Sequence, residues 1–145
     1  MLLKNLIKTK LSSFENTQIS DLVLDSRKAK KGSIFFAIKG TSFDGNKFIK
    51  DAIKNGASAI VCSRKFNTKK NIQIVKVKNV KKILTQACNK FYKNKPKNII
   101  AVTGTNGKSS VADFFHQILS LNKIPVASIG TLGVKKNNNM KKYDL

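Results

Sequence analysis

The residues with the clearest chemical potential lie between Gly104 and Ser110, in the run Gly-Thr-Asn-Gly-Lys-Ser-Ser. Two glycines free the backbone for turns in which main-chain N–H groups approach a ligand closely, and a helix that begins after them directs its positive dipole end to the same point. The Lys108 ammonium can neutralise phosphate charge, and the Ser109 hydroxyl can ligate the magnesium ion that accompanies a nucleotide. The segment therefore predicts a phosphate-binding loop.

The flanking sequence predicts the strand and the helix that such a loop requires. Residues 99–102 are a short apolar run, typical of a parallel strand covered on both faces. A helix follows the loop, and another strand is predicted over 125–129. The helix is expected to bury Val111, Phe114, Phe115, Ile118 and Leu119. The loop is shorter than the usual pattern, which places a glycine where Val102 stands. The alternative without a ligand is a helix start with small residues and with Ser109 or Ser110 near the cap.

The composition is strongly basic, with a formal net charge of +22 from 29 basic and 7 acidic residues. A basic surface favours nucleic acid because its binding releases counterions from the phosphate backbone. Only Arg27 and Arg64 are arginines, however, whereas proteins that read bases and phosphates favour the bidentate guanidinium. The lysines are also spread along the whole chain. We interpret the charge as a solvated lysine-rich surface and expect no nucleic-acid partner.

The chain lacks the sequence features of a membrane or secreted protein. No apolar run approaches the roughly 20 residues that a spanning helix needs. Residues 1–11 carry three lysines among apolar residues and have no signal-type apolar core. We therefore expect a cytoplasmic protein without membrane insertion. Cys62 and Cys88 form no CxxC pattern, which favours two reduced, packed thiols over a zinc site.

The sequence before Pro96 predicts a small mixed α/β domain. Apolar, β-branched runs predict strands, and apolar residues at helical spacing predict helices. The predicted strands span 19–24, 33–38, 57–62 and 71–77, and the predicted helices span 1–11, 48–53 and 80–91. Polar residues around Pro96 mark a boundary, so we expect one domain over 1–95 and the start of a βαβ nucleotide-binding domain over 96–145.

Two further expectations concern single side chains. His116 is the only histidine and lies one helical turn after Asp113, so a surface ion pair between the two is favoured over catalysis. The phenylalanines that fall within predicted elements are expected in the core. They are Phe35, Phe36, Phe48, Phe91, Phe114 and Phe115.

The loop resembles the ATP loop of the Mur ligase and folylpolyglutamate synthetase superfamily, which has the same shortened spacing. The first domain resembles that of the Mur ligases acting third and fourth in muramyl-peptide synthesis. The motifs that carry this resemblance are Leu-Asp-Ser-Arg at 24–27, Lys-Gly-Ser-Ile-Phe-Phe-Ala-Ile-Lys-Gly at 31–40 and Asp-Gly at 44–45. Ile-Gly-Thr-Leu-Gly at 129–133, with Thr-Asn inside the phosphate loop, favours the third-step branch of the family. The resemblance covers nearly the whole chain.

The resemblance implies a small α/β domain that holds the uridine nucleotide of the substrate, followed by the start of a Rossmann-like central domain that binds ATP and Mg²⁺. The matching substrate residues are Leu24, Ser26, Thr41, Ser42 and Phe43. The matching ATP residues are Gly104, Thr105, Asn106, Gly107, Lys108, Ser109 and Ser110. Of these, Lys108 is the implied catalytic residue and Ser109 the implied metal ligand. For the first set, the alternative is that Asp25 and Ser26 only cap a turn.

The implied reaction joins a diamino acid to UDP-N-acetylmuramoyl-L-alanyl-D-glutamate, the UDP-N-acetylmuramoyl-dipeptide of peptidoglycan synthesis. ATP phosphorylates the D-glutamate carboxylate, and an amine attacks the acyl phosphate. Such catalysis depends on positioning and charge neutralisation. The family's other metal ligands, its modified lysine and the domain that selects the diamino acid are expected beyond Leu145. We therefore expect residues 1–145 alone to lack ligase activity.

Other functions stay open on the residues alone. One is a non-catalytic nucleotide- or UDP-sugar-binding module that works with a partner chain. A second is part of a related enzyme, either the fourth-step muramyl ligase or folylpolyglutamate synthetase. A third is a basic nucleic-acid binder, which would retain DNA in a salt-dependent manner even after Lys108→Ala.

Overall fold

In a computed structural model, the chain forms two compact units, Met1–Lys95 and Pro96–Leu145. The structure describes residues 1–7, 14, 16–41, 43–131, 133–136 and 139–141. Each unit contains its own sheet. Within the described residues, no helix combines the length and apolar content needed to cross a membrane.

The first unit is built on a four-stranded parallel sheet in which the order of the strands follows the chain. The strands are β1 Asp21–Val23, β2 Ser33–Phe36, β3 Ala59–Cys62 and β4 Gln73–Lys76. The helices are α1 Leu3–Leu6, α2 Ile49–Lys54 and α3 Val80–Phe91. All four predicted strands and the predicted α2 and α3 are confirmed, although each strand is shorter than its predicted range. The predicted helix over 1–11 is confirmed at Leu3–Leu6, and its residues 8–11 lie outside the described residues.

Strand β2 shows how the sheet divides the core into two layers. Successive side chains point to opposite faces of a strand. Ile34 and Phe36 therefore pack in one cluster with residues of α1 and α3, while Phe35 packs in the other with residues of α2. All four β2 residues are buried, as a parallel strand covered on both faces requires. The mixed α/β fold with a parallel sheet is confirmed.

Helices α1 and α3 contact each other on the same face of the sheet. The Lys90 ammonium, near the end of α3, donates hydrogen bonds to the carbonyls of Asn5 and Leu6 at 2.7 and 3.2 Å. The amino group of Met1 donates to the Ile19 carbonyl at 2.7 Å. The start of the chain is thereby fixed to the last helix of the unit.

The expected core positions of the phenylalanines are confirmed only in part. Phe35 and Phe36 are each 1% exposed, and Phe91 packs partly buried against the core. The expectation for Phe48 is wrong: this side chain is 41% exposed at the end of the 3₁₀ turn Gly45–Phe48. Helix α2 begins at the next residue and buries Ile49, Ala52 and Ile53 instead.

The second unit contains α4 Lys108–Leu121 and a three-stranded antiparallel sheet. The strands are β5 Ala127–Gly130, β6 Gly133–Lys136 and β7 Asn139–Lys141. The predicted strand over 125–129 is confirmed as β5. Its neighbour is β6, with Ile129 opposite Val134, so the pairing is a hairpin rather than the parallel pairing of a βαβ unit.

Two predictions for the second unit are wrong. Residues 99–102 form no strand, and Ile99 is 80% exposed. The α4 residues expected in the core are exposed apart from half-buried Leu119: Val111, Phe114, Phe115 and Ile118. A strand requires a neighbour for its backbone N–H and C=O groups, and the described residues of this unit provide none beside 99–102. Without that sheet, the apolar face of α4 has no surface to pack on.

Candidate functional site

The predicted phosphate loop is a glycine-bounded bend that leads directly into α4. Gly104 and Gly107 have φ angles of 146° and 75°, in the region that favours glycine. Gly107 is the N-cap residue of α4, and no side chain caps the helix. The N–H groups of the first helical turn therefore lack a side-chain partner at the cap and can bind an anion. Ser109 and Ser110 lie in the first turn beside this cap residue, but neither side chain makes a capping hydrogen bond.

The Lys108 ammonium lies over the loop. It donates to the carbonyls of Gly104 and Thr105 at 2.5 and 3.0 Å. All residues from 104 to 110 are exposed, Asn106, Ser109 and Ser110 among them, and a Cβ added at Gly107 would meet no atom within 4 Å. The loop thus has a positive charge, open space at its tightest bend and an exposed hydroxyl. These features are those that a bound phosphate group requires.

A small cavity of about 60 Å³ adjoins the loop between α4 and the β5–β6 hairpin. Its lining includes Ser109, Asp113, Ser128, Thr131 and Lys135. Asp113 accepts from the Lys135 ammonium at 2.6 Å and from the Gln117 amide at 2.6 Å. These two hydrogen bonds hold the pKa of the Asp113 carboxyl below its usual value. One edge of the loop helix is thereby tied to β6.

The surface ion pair predicted between His116 and Asp113 is wrong. His116 is only 2% exposed, and neither ring nitrogen has a hydrogen-bond partner among the described residues. Ala112 and Asp113 line the cavity beside the hairpin, and His116, one turn later, lies on the same helix face. Helix α4 thus turns its more polar face inward, whereas the helical spacing of its apolar residues predicted that the apolar face would be buried.

In the first unit, the turn after β1 contains the predicted substrate residues Leu24 and Ser26. Leu24 is 58% exposed and Ser26 is 8% exposed. Asp25 caps the 3₁₀ turn Ser26–Lys28 by accepting from the Arg27 N–H at 2.9 Å. Its carboxylate also accepts three hydrogen bonds from the Arg27 side chain. These contacts lower the pKa of Asp25 to about 2.

Asn55 fixes this turn from α2, a contact that the sequence did not predict. Its side-chain amide donates to the Ser26 carbonyl at 2.9 Å. Asn55 is the C-cap residue of α2, and Gly56 follows it with a φ angle of 100°. An Asn-Gly pair is a typical end of a helix, but such a local pattern carries no information on a partner 29 residues away.

The loop after β2 contains Thr41 and Phe43. Lys39 and Asp44 pair as an antiparallel bridge, and the Gly40 N–H donates to the Phe43 carbonyl at 2.8 Å. Residues 38–45 therefore form a short hairpin, here called the 38–45 hairpin. Phe43 is 75% exposed at its tip, and Thr41 is exposed too. Ser42 lies outside the described residues.

The two loops lie at one edge of the sheet. They follow β1 and β2, which are parallel neighbours with Leu22 opposite Ile34 and Val23 opposite Phe35. Ligands of open α/β sheets bind outside the carboxyl ends of the strands. Leu24, Ser26, Thr41 and Phe43 are therefore brought to the edge where such a site belongs.

Comparison with known proteins gives consistent similarities. Residues 18–107 match the Mur ligase family, catalytic domain. Over 122 residues, the chain is 46% identical to the UDP-N-acetylmuramoyl-L-alanyl-D-glutamate–2,6-diaminopimelate ligase of Rickettsia prowazekii (strain Madrid E), covering 84% of this chain and 25% of the relative. The protein of the same name from Clostridioides difficile (strain 630) is 41% identical over 121 residues, covering 82% and 25%. The chain spans about a quarter of the length of the curated relatives it matches.

Comparison with solved structures gives the same family. The MurF ligase from Thermotoga maritima in complex with ADP superposes with a TM-score of 0.61 at 30% identity, covering 79% of this chain and 26% of that one. A structure of UDP-N-acetylmuramoyl-L-alanyl-D-glutamate–2,6-diaminopimelate ligase gives a TM-score of 0.76 at 23% identity, covering 97% and 29%. At that identity, the second likeness supports the fold alone.

Proposed function

The chain belongs to the Mur ligase family, and we propose that it forms the N-terminal part of an ATP-dependent ligase that adds a diamino acid to UDP-N-acetylmuramoyl-L-alanyl-D-glutamate. The observation that carries this proposal is the 46% identity to the Rickettsia ligase over 84% of the chain. The names of the relatives include 2,6-diaminopimelate, which we propose as the diamino acid. The reaction serves peptidoglycan synthesis.

In this proposal, the second unit binds the phosphates of ATP. The bend at Gly104–Gly107 directs backbone N–H groups toward them, and Lys108 exchanges its contacts with the loop carbonyls for phosphate oxygens. The exposed Ser109 hydroxyl would hold Mg²⁺. ATP supplies the phosphoryl group that activates a carboxylate for attack by an amine. The chain's own residues contribute position and positive charge, which are the main protein contributions to phosphoryl transfer.

The first unit, in the same proposal, binds the uridine nucleotide of the substrate at the carboxyl edge of its sheet. The buried Ser26 turn provides backbone polar groups that can read the edge of a base. The exposed ring of Phe43 can cover a base or sugar face. Thr41 on the 38–45 hairpin, together with Ser42, completes the proposed contacts.

The apolar face of α4 also bears on the proposal. This face carries Val111, Phe114, Ile118 and Leu121, which are 53%, 62%, 58% and 83% exposed. Contiguous exposed apolar surfaces often mark interfaces. Because the match covers only 25% of the relative's length, we propose that parallel strands of the complete central domain flank residues 99–102 and cover this face.

The proposed ATP site is tested by equilibrium binding of a fluorescent ATP analogue to residues 1–145 in the presence of Mg²⁺. Lys108→Ala should weaken binding about tenfold to a hundredfold, because a hydrogen bond to a charged group contributes about 1.5–3 kcal/mol. The matched control is Lys97→Ala, which removes an exposed lysine of the same unit outside the loop and should leave affinity unchanged.

Two results would contradict the proposal. Equal weakening in both variants would assign the binding to general charge attraction rather than to the loop. Absence of ATP binding by the unaltered chain would remove the ATP site from the functions of residues 1–145.

A further inference from the structure

The 38–45 hairpin, whose tip carries two of the proposed substrate residues, is held at its base by contacts that are independent of its tip. The Gly45 N–H donates to the Ile38 carbonyl at 2.8 Å. A Cβ at Gly45 would lie 2.6 Å from that carbonyl oxygen and 2.7 Å from the Ile38 nitrogen. The two arms of the hairpin are therefore packed backbone to backbone, and any shift of residue 44 moves the tip.

Asp44 is the anchor of this base. It is the N-cap of the 3₁₀ turn Gly45–Phe48, and its Oδ1 accepts from the Asn46 N–H at 3.0 Å and from the Asn46 amide at 2.6 Å. The same Asn46 amide donates to the Ser63 hydroxyl at 3.2 Å. Only 14% of the Asp44 side chain is exposed. The hairpin is thereby connected to the segment that follows β3.

Arg64 neutralises this largely buried carboxylate. Its Nη2 lies 3.0 Å from Asp44 Oδ2, the oxygen that Asn46 does not use. Arg64 also fixes its own segment, because its carbonyl accepts from the Cys62 thiol at 3.1 Å. The guanidinium is thus bound to the hairpin while its backbone is attached to the end of a central strand.

The distribution of arginine supports a specific use. The chain has 29 basic residues, and Arg27 and Arg64 are its only arginines. Each pairs with an aspartate of a loop that carries proposed substrate residues, Arg27 with Asp25 and Arg64 with Asp44. A planar guanidinium holds a carboxylate in a fixed orientation, whereas the ammonium of the far commoner lysine acts as a point charge. Both arginines therefore pair with loops whose orientation a guanidinium can fix.

We propose that Arg64 is a positioning residue for nucleotide binding: through Asp44 it anchors the 38–45 hairpin to the end of β3 and so fixes where Phe43 and Thr41 meet the uridine nucleotide. This inference rests on the proposed function of the first unit. Arg64 was not among the site residues predicted from the sequence. In this inference it acts by contacting the hairpin and not the ligand.

The test combines a ligand measurement with one that needs no ligand. Binding of UDP to residues 1–145 is measured by titration calorimetry, and protection of the Gly40 and Gly45 amides is measured by hydrogen exchange without UDP. Arg64→Met should weaken UDP binding by up to about fivefold, because the Arg64 side chain is 67% exposed and such ion pairs contribute up to about 1 kcal/mol. It should also speed exchange at both amides.

Control variants separate positioning from charge and from folding. Lys65→Met removes the neighbouring exposed positive charge and should change UDP affinity less than about twofold, as expected for an exposed charge outside the contact network. Arg64→Lys keeps the charge but loses the fixed orientation, so it should recover only part of the affinity. The far-ultraviolet circular dichroism of each variant shows whether the sheet is intact.

The outcomes separate the inference from the function on which it rests. If Arg64→Met leaves both UDP affinity and amide exchange unchanged, or if Lys65→Met loses as much affinity, the positioning role of Arg64 is overturned. If the unaltered chain does not bind UDP, the proposed substrate site is overturned instead. The exchange measurement then decides separately whether Arg64 anchors the hairpin.

Discussion

Residues 59–62 and 99–102 have closely similar compositions, Ala-Ile-Val-Cys and Ile-Ile-Ala-Val, but opposite structures. The first run is β3, in which every residue is 0% exposed between β2 and β4. In the second run, Ile99 is 80% and Ile100 is 63% exposed. The difference lies in the neighbours: β3 has a strand on each side and apolar clusters on both faces. A continuous apolar run therefore indicates a segment that could form a buried strand. Whether the strand forms depends on the neighbouring strands that the rest of the fold provides.

The helices of the two units differ in the same way. Helix α2 buries Ile49, Ala52 and Ile53 against the parallel sheet. Helix α4 instead has His116 as its only buried residue and exposes its phenylalanines. The first unit has a closed core around a central sheet, whereas the second leaves the apolar face of the helix after the predicted phosphate loop exposed.

The largest expected effect tests this contrast directly. Phe35→Ala should lower the free energy of unfolding by about 3–5 kcal/mol, because it leaves a cavity in a closed core. Phe114→Ala should change it by less than about 0.5 kcal/mol, as is usual at exposed positions. Urea unfolding followed by circular dichroism measures both. A loss for Phe114→Ala as large as that for Phe35→Ala would show that the α4 face is covered within residues 1–145.

Two glycine substitutions test the same contrast between the units, with smaller expected changes in stability. Gly45→Ala should destabilise the first unit by about 1–3 kcal/mol, since the new Cβ would overlap the Ile38 backbone. Gly107→Ala meets no atom within 4 Å and should be destabilising by about 1–2 kcal/mol, through its left-handed backbone alone. Thermal unfolding compares them. Tolerance of Gly45→Ala would contradict the close backbone packing of the hairpin.

His116 gives an expected gain of stability. A buried polar group without a partner costs about 1–3 kcal/mol, so His116→Leu should raise the free energy of unfolding of the second unit by about 1 kcal/mol. His116→Gln, which keeps polar atoms, is the matched control and should show no gain. Denaturant unfolding measures both variants. A net loss in His116→Leu would indicate that the imidazole has a favourable contact that the structure does not record.

The smallest effect concerns pH and the first unit. The pKa of Asp25 is lowered from 3.8 to about 2 by its hydrogen bonds with Arg27. The folded state therefore holds the charged carboxylate better than the unfolded state does. This contribution to stability is present above about pH 4 and is lost as the pH falls toward 2. Carboxyl chemical shifts in an NMR titration should show the lowered pKa, and Arg27→Met should return it toward 3.8. An unchanged pKa in that variant would exclude Arg27 as the cause.

Local patterns predicted the first unit well and the second poorly, for one physical reason. Each predicted strand of the first unit and the 80–91 helix agree with the structure because the strands and the helix on which they pack are all present within that unit. His116 was misplaced because a helical period gives the faces of α4 but not which face meets the β5–β6 hairpin. Asn55 and Arg64 were missed because their partners, Ser26 and Asp44, are set by the fold and not by spacing.

The contact between α1 and α3 bears on when the first unit folds during synthesis. Lys90 and Met1 fix the first residues of the chain to elements made later, and α1 packs on α3. On the ribosome, the strands can add to the sheet in the order in which they are made, but one face of that sheet stays partly open until residue 91 has emerged. The nascent chain therefore completes its first core only shortly before the phosphate loop appears, and we expect chaperones that bind exposed apolar segments to act in that interval.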